Sequence, residues 1–162
     1  MTSPRWLDEQ EQRAWRGYVR MQGRLNARLN RQLQTDSELS LADFEVLVHL
    51  TDVPDGRLRV AELARTMEWE QSRLSHHLAR MHKRGLVERE GCPDDRRGAF
   101  IVLTPAGRRA IEQAAPRHVE TVRRLFLDRL TRDQVRALAE ISDAVLGALD
   151  EDGGVTCSQG PS

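Results

Sequence analysis

Residues 71–104, QSRLSHHLARMHKRGLVEREGCPDDRRGAFIVLT, constrain the fold more than any other part of the chain. Leu74, Leu78 and Met81 stand four and three residues apart, the spacing of one buried helical stripe. Gly85 follows where a left-handed residue closes a helix, and Leu86 beyond it can pack back on the last turn. Lys83 and Arg84 suit the negative end of the helix dipole. Two strand-like runs come next, 86–90 and 98–103, separated by roughly seven residues around Gly91 and Pro93. A helix that stops on glycine and feeds at once into a hairpin with a long charged tip leaves few folds open.

The flanking segments narrow the choice. Ser40 with Asp43 in the following turn predicts a helix N-terminus, and the helix 41–52 is expected to bury Leu41, Phe44, Leu47 and Val48. Val53-Pro54-Asp55-Gly56 is a turn, and residues 57–60 are extended at best. A short helix, 61–67, carries Leu63, Ala64 and Met67, and Glu68-Trp69-Glu70 connects it to the next helix. Before this group, Trp15, Tyr18, Leu25, Leu29 and Leu33 predict a long helix over 6–34. After it, Thr104-Pro105 opens a helix carrying Ile111, Val119, Val122, Leu125 and Phe126, expected to bend at Pro116 and end at Leu130. Thr131 and Gln134 have capping-box spacing. The last helix is expected to reach about residue 149 on Val135, Leu138, Ile141, Val145 and Leu149, followed by a disordered tail. The resulting fold is mainly α with a small β-hairpin. It is a winged helix-turn-helix at 37–104, with dimerisation helices at 1–36 and 105–150 and a tail at 151–162.

Composition agrees. At 162 residues the chain is one domain with helical extensions, and with 39% hydrophobic but only 4% aromatic residues its core must be aliphatic. No apolar run approaches the ~20 residues that span a bilayer. The N-terminus lacks a basic segment leading into an apolar one, and two cysteines make no disulfide framework, so a cytoplasmic protein is expected. The net charge of zero hides an uneven distribution. Residues 71–109 carry nine Lys/Arg against four Asp/Glu, whereas both flanks are acidic. A basic middle in a neutral chain is the pattern of a localised polyanion-binding surface.

The segments VAELART, SRLSHHLARMHKRGLVERE and CPDDRRGAFIVLTPAGR together resemble the MarR family of transcriptional regulators. The helix running into Gly85-Leu86-Val87-Glu88-Arg89 matches that family's L-x-x-x-G-L-V-x-R pattern. Asp95-Arg96-Arg97 matches its D-x-R wing, and Leu103-Thr104-Pro105-Ala106-Gly107 its L-T-x-x-G. The resemblance spans roughly residues 10–149. It implies a homodimer on a pseudo-palindromic double-stranded DNA site, acting as a repressor released by a small ligand or by thiol oxidation.

With Leu74, Leu78 and Met81 inward, Ser72, Arg73, His76 and Arg80 form the opposite stripe of the helix. Arg73 has the fork to read guanine, and Gln71 the amide to read adenine. Ser72, Ser75 and His76 suit base edges or phosphates, and Arg80 and Lys83 suit phosphates. His77 falls on the inner flank and is expected at the core boundary. In the wing, Arg97 and then Arg96 are candidates for the minor groove, with Asp95 bracing them. A solvated helix face and an exposed turn are the plain alternatives for both sets.

Catalysis and metal binding find no support. Asp94 and Asp95 are neighbours on a turn rather than carboxylates facing one gap. The phosphate-loop, nucleophile-elbow, zinc-protease and dinucleotide patterns are absent. His77 and His82 are five apart and miss the spacing of a helical zinc pair, so no metal and no cofactor are expected. Thiol-sensing relatives carry a cysteine near the start of the first long helix, and residues 1–35 contain none. Cys92 and Cys157 read as bystanders. An aromatic or amphipathic small-molecule effector remains, with Trp15, Tyr18 and His49 the candidates to meet it. A winged-helix protein-interaction module without specific DNA binding is the alternative function.

Overall fold

The computed structural model describes residues 2–91 and 98–154. Its elements, in chain order, are α1 (Glu9–Ser37), α2 (Leu41–Thr51), β1 (Arg57–Arg59), α3 (Val60–Met67), α4 (Gln71–Lys83), β2 (Val87–Gly91), β3 (Ala99–Leu103), α5 (Pro105–Leu125), a 3₁₀ turn (Leu127–Arg129) and α6 (Arg132–Gly154). They fall into two units, Met1–Thr121 and Val122–Ser162.

Helix boundaries follow side chains that complete the backbone ends. Helix α1 starts at Glu9 rather than at residue 6 because Asp8 and Glu11 form a capping box, and it runs on to Ser37 before Glu38 turns left-handed at φ 58°. Ser40 and Asp43 cap α2 reciprocally, at 3.0 and 2.8 Å. Helix α4 closes on Gly85 at φ 76°, with Leu86 N–H donating to the Met81 carbonyl at 3.1 Å and Gly85 N–H to that of His82 at 2.9 Å. At α5, the Thr104 hydroxyl accepts from Gly107 N–H at 2.9 Å and donates to the Gly85 carbonyl at 2.6 Å, with the Leu86 carbonyl 3.0 Å away. The same residue thus caps α5 and ties it to the end of α4.

The sheet differs from the expected two-stranded hairpin. It has three antiparallel strands in the order β1-β3-β2, because Arg57–Arg59 pair with Phe100–Val102 on the outer side of β3. Nothing local in a three-residue stretch announces a pairing more than 40 residues away. The hairpin itself has Val87 opposite Leu103 and Gly91 opposite Ala99.

The core lies in the first unit. Leu33, Leu47, Leu50, Leu63, Leu74, Met81 and Ile101 are all essentially inaccessible. Helix α2 buries Phe44 and Leu47 as expected, but also Val46 and Leu50, while Leu41 and Val48 are half-buried. A helix whose apolar residues spread beyond one stripe packs on more than one side, so a single stripe understates its burial. Helix α5 continues through Pro116, whose missing N–H leaves the Glu112 carbonyl without its usual partner. It joins α1 and α2 through Arg117–Asp36 at 3.2 Å and the His118 ring at 4.3 Å from Phe44. Burial there holds His118 below its ordinary imidazole range.

In the second unit, α5 ends at Leu125 rather than Leu130, and a single 3₁₀ turn intervenes. Thr131 and Gln134 then form the expected reciprocal cap of α6. Helix α6 passes residue 149 and continues to Gly154, so the first residues of the expected tail are helical. Its apolar positions are not core: Ile141, Val145, Leu146 and Leu149 are each more than half exposed. Among the described residues no helix is long and apolar enough to cross a membrane.

Candidate nucleic-acid interface

Helix α4 divides into two faces. Leu74, His77, Leu78 and Met81 are buried, which fixes the rotation of the helix on the core. Gln71, Ser72, Arg73, His76, Arg80 and Lys83 are exposed, and Ser75 is half-buried. The stripe expected from spacing is therefore a continuous outer surface. The N-cap, Glu70, makes no side-chain bond to the first turn.

What holds this face in place is a buried polar cluster. Asp43, 3% exposed, receives the Arg84 guanidinium at 2.7 Å on Oδ2. His77 Nε2 lies 2.9 Å from its Oδ1, a close polar contact without well-aligned hydrogen-bond geometry. Burial alone pushes the Asp43 carboxyl up; His77, Arg84 and the Ser40 amide overcome that and hold it well below the usual carboxylate range. Arg84 also donates to the Glu38 carbonyl at 2.5 Å, reaching the left-handed residue that ends α1. On the other side of the imidazole, Arg80 lies 3.2 Å from His77 Nδ1. An arginine only donates, so Nδ1 is the acceptor and Nε2 carries the ring proton toward Asp43. His77 is thus a core residue, as its position on the inner flank implied.

Two features of this surface lie outside the stripe expected on α4. Trp69, which reads as part of a connector, lies beneath Arg73, with the guanidinium carbon 4.0 Å from the ring centroid. Arg57 and Arg59 both stack on Phe100, at 4.1 and 4.8 Å, and Arg57 pairs with Glu90 at 2.9 Å. Their two-residue spacing puts both arginines on one side of a strand, but only the pairing of β1 with β3 brings them to the base of the wing. The expected wing residues Asp95, Arg96 and Arg97 lie outside the described residues, as do Cys92, Asp94 and Cys157.

The proposed effector residues are only partly assembled. Trp15 and Tyr18 face each other at 5.9 Å on α1, both about half exposed. Trp15 precedes Leu29, the first buried residue of α1, by 14 residues, or roughly 21 Å of helix. His49 is half-buried in the last turn of α2. Among the described residues no cluster of three His, Cys, Asp or Glu could hold a metal ion.

This arrangement has close parallels among known proteins. A MarR family model matches residues 37–98, from the end of α1 to the start of β3. The structure of Sco3205, a MarR family transcriptional regulator from Streptomyces coelicolor in complex with DNA, superposes with a TM-score of 0.85 at 42% identity, covering 92% of this chain and 93% of that one. AbsC, another MarR family transcriptional regulator from the same organism, gives 0.84 at 37% identity, with 91% and 99% covered. The transcriptional regulator HosA of Escherichia coli O111:H- is 30% identical over 111 residues, 68% of this chain and 80% of its own. Identity of 30–42% over two thirds or more of the chain, with the fold shared at TM-scores of 0.84–0.85, places this protein in the MarR family of transcriptional regulators.

Proposed function

We propose that the chain is a sequence-specific regulator, a homodimeric repressor on a pseudo-palindromic double-stranded DNA operator, released by a small-molecule effector. The observation that carries this reading is the outer face of α4. Its polar and basic side chains point away from a helix whose other face is locked into the core. Such a face enters a major groove without any rearrangement of the fold. The regulator Sco3205, similar over almost the whole chain, is described in complex with DNA.

In this reading Arg73 reads guanine, Gln71 reads adenine, and Ser72, Ser75 and His76 contact base edges or the backbone. Arg80 and Lys83 position the helix on phosphates. Arg97, with Arg96 beside it and Asp95 as brace, enters the minor groove. Residues 37–104 form the reading domain, and 1–36 and 105–150 pair two copies. The exposed apolar residues of α1 and α6, Trp15, Tyr18, Ile141, Val145 and Leu149 among them, support this pairing, since apolar surface of that extent is normally covered. Two copies place their α4 helices about 34 Å apart, one turn of DNA. An effector near Trp15, Tyr18 and His49 acts by favouring another spacing.

Footprinting on the DNA upstream of the chain's own gene, followed by a screen for compounds that abolish the footprint, tests the whole proposal. Arg73→Ala is expected to weaken operator binding by roughly ten- to a hundredfold and to relax the choice of one base pair per half-site. Arg97→Ala is expected to weaken binding more evenly across sequences and to make its salt dependence shallower by about one ion. Titrations at several salt concentrations separate the two. If both variants bind the operator normally, the site assignment is wrong. Salt-sensitive but sequence-indifferent binding by the unaltered protein indicates an interaction module instead.

A further inference from the structure

We propose that Trp69 is a positioning residue for Arg73, holding its guanidinium ready for a base edge before DNA arrives. The inference rests on the reading of α4 as the DNA-reading helix. Its basis is a chain of contacts that begins at the surface and ends in the core. The Arg73 guanidinium carbon stands over the indole, 4.0 Å from the ring centroid. The indole meets the His77 ring edge-on, at 5.6 Å and 72°. His77 is buried and held 2.9 Å from Asp43, which is tied in turn to Arg84. The backbone fixes the other end: Glu68 is left-handed at φ 55°, and the Trp69 amide donates back to Ala64 at 2.9 Å.

A guanidinium that stacks on an aromatic ring does so through its face. Its N–H groups radiate in the plane of the group, so the fork that reads guanine stays free. A free arginine samples many rotamers and must give up that freedom on binding, whereas a stacked one has already done so. Trp69 also covers part of the core, as any half-buried tryptophan does. A covering role predicts lost stability; a positioning role predicts lost base preference.

The probe is the duplex that the full-length wild-type protein enriches from a random pool, together with its single-base-pair variants. Trp69→Leu keeps an apolar cover and removes the π face. It is expected to weaken binding to the selected duplex about tenfold, and to flatten preference at the same base pair that Arg73→Ala flattens. In an Arg73→Ala background the same change is expected to cost no more than about twofold, since contacting residues are non-additive. Trp69→Phe keeps an aromatic face and is expected to stay within about threefold of wild type.

Equal effects of Trp69→Leu in both backgrounds, or equal weakening on every duplex, overturn the inference while leaving the reading of α4 intact. An Arg73→Ala variant with unchanged affinity and base preference overturns both. A measurement on the wild type alone guards against misfolding of the leucine variant. The Arg73 side-chain resonances, identified by their loss in Arg73→Ala, are expected upfield in the free protein from the indole ring current. Random-coil positions for them overturn the inference as well.

Discussion

Gly107→Ala is expected to lower stability by about 3 kcal/mol or more, and the melting temperature by roughly 6–12 °C at fixed protein concentration. A methyl group at this position would stand 2.1 Å from the Leu86 carbonyl oxygen and 2.9 Å from Leu103 Cδ1. Close carbon–oxygen contacts settle near 3.3 Å, so backbone must move by about an ångström. The Leu86 carbonyl cannot retreat cheaply. It accepts from the Thr104 amide at 3.3 Å and lies 3.0 Å from the hydroxyl that caps α5, and the Leu86 amide closes α4 onto Met81. Relief at one end therefore breaks a cap at the other. Gly85→Ala makes a useful contrast: nothing lies within 4 Å, but φ is 76°. Its cost is the left-handed backbone alone, about 1 kcal/mol. Thermal melts of the two variants should rank in that order. A Gly107→Ala protein melting within two degrees of wild type would mean that α5 does not start this close to Leu86.

Asp43→Asn is the second large effect, about 3 kcal/mol, near the lower end for breaking a buried pair because Arg84 can still turn to water. The substitution keeps the shape but presents an amide to the Arg84 guanidinium and removes the charge opposite His77. The deficit should depend on pH in a defined direction. Burial raises the Asp43 carboxyl, but His77, Arg84 and the Ser40 amide hold it below its ordinary 3.8 in the folded protein. A depressed folded value contributes stability that is complete above the unfolded value and is lost as pH falls below it. Wild type and variant should therefore differ fully at pH 7 and 5, and converge as pH drops below about 4. Urea midpoints measured across that range check this, and a difference that persists unchanged into acid would rule the pair out. DNA affinity should fall with stability in the variant, since Asp43 seats the helix that carries Arg73.

The parts of this fold that could be read from the chain are those closed by near neighbours. Ser40 with Asp43, Thr131 with Gln134, and Gly85 with Leu86 each complete a helix end within a few residues, and the structure has all three. The Asp8–Glu11 box is equally local and legible, but a stripe of apolar residues alone places the start of α1 too early. The end of α5 fails for a related reason. Leu125, Phe126 and Leu130 keep a helical spacing through the 3₁₀ turn, so periodicity runs past the true break.

The outer face of α4 was legible because a helix has a fixed period. Once Leu74, Leu78 and Met81 are inward, Ser72, Arg73, His76 and Arg80 have nowhere to point but out. The polar contacts that tie that helix to the rest of the core were not legible. Asp43 and His77 are 34 residues apart, Asp43 and Arg84 are 41 apart, and Arg57 meets Glu90 across a sheet whose first strand is three residues long. The amino-acid sequence alone determined the capped ends of α2, α4 and α6, which way α4 turns and which charges cluster, because those depend on hydrogen bonds and periodicities that close within one or two turns. Only the tertiary structure decided that Asp43 anchors α4. It alone added a third strand to the wing. Those contacts depend on packing that brings distant residues together, and no spacing along the chain encodes it.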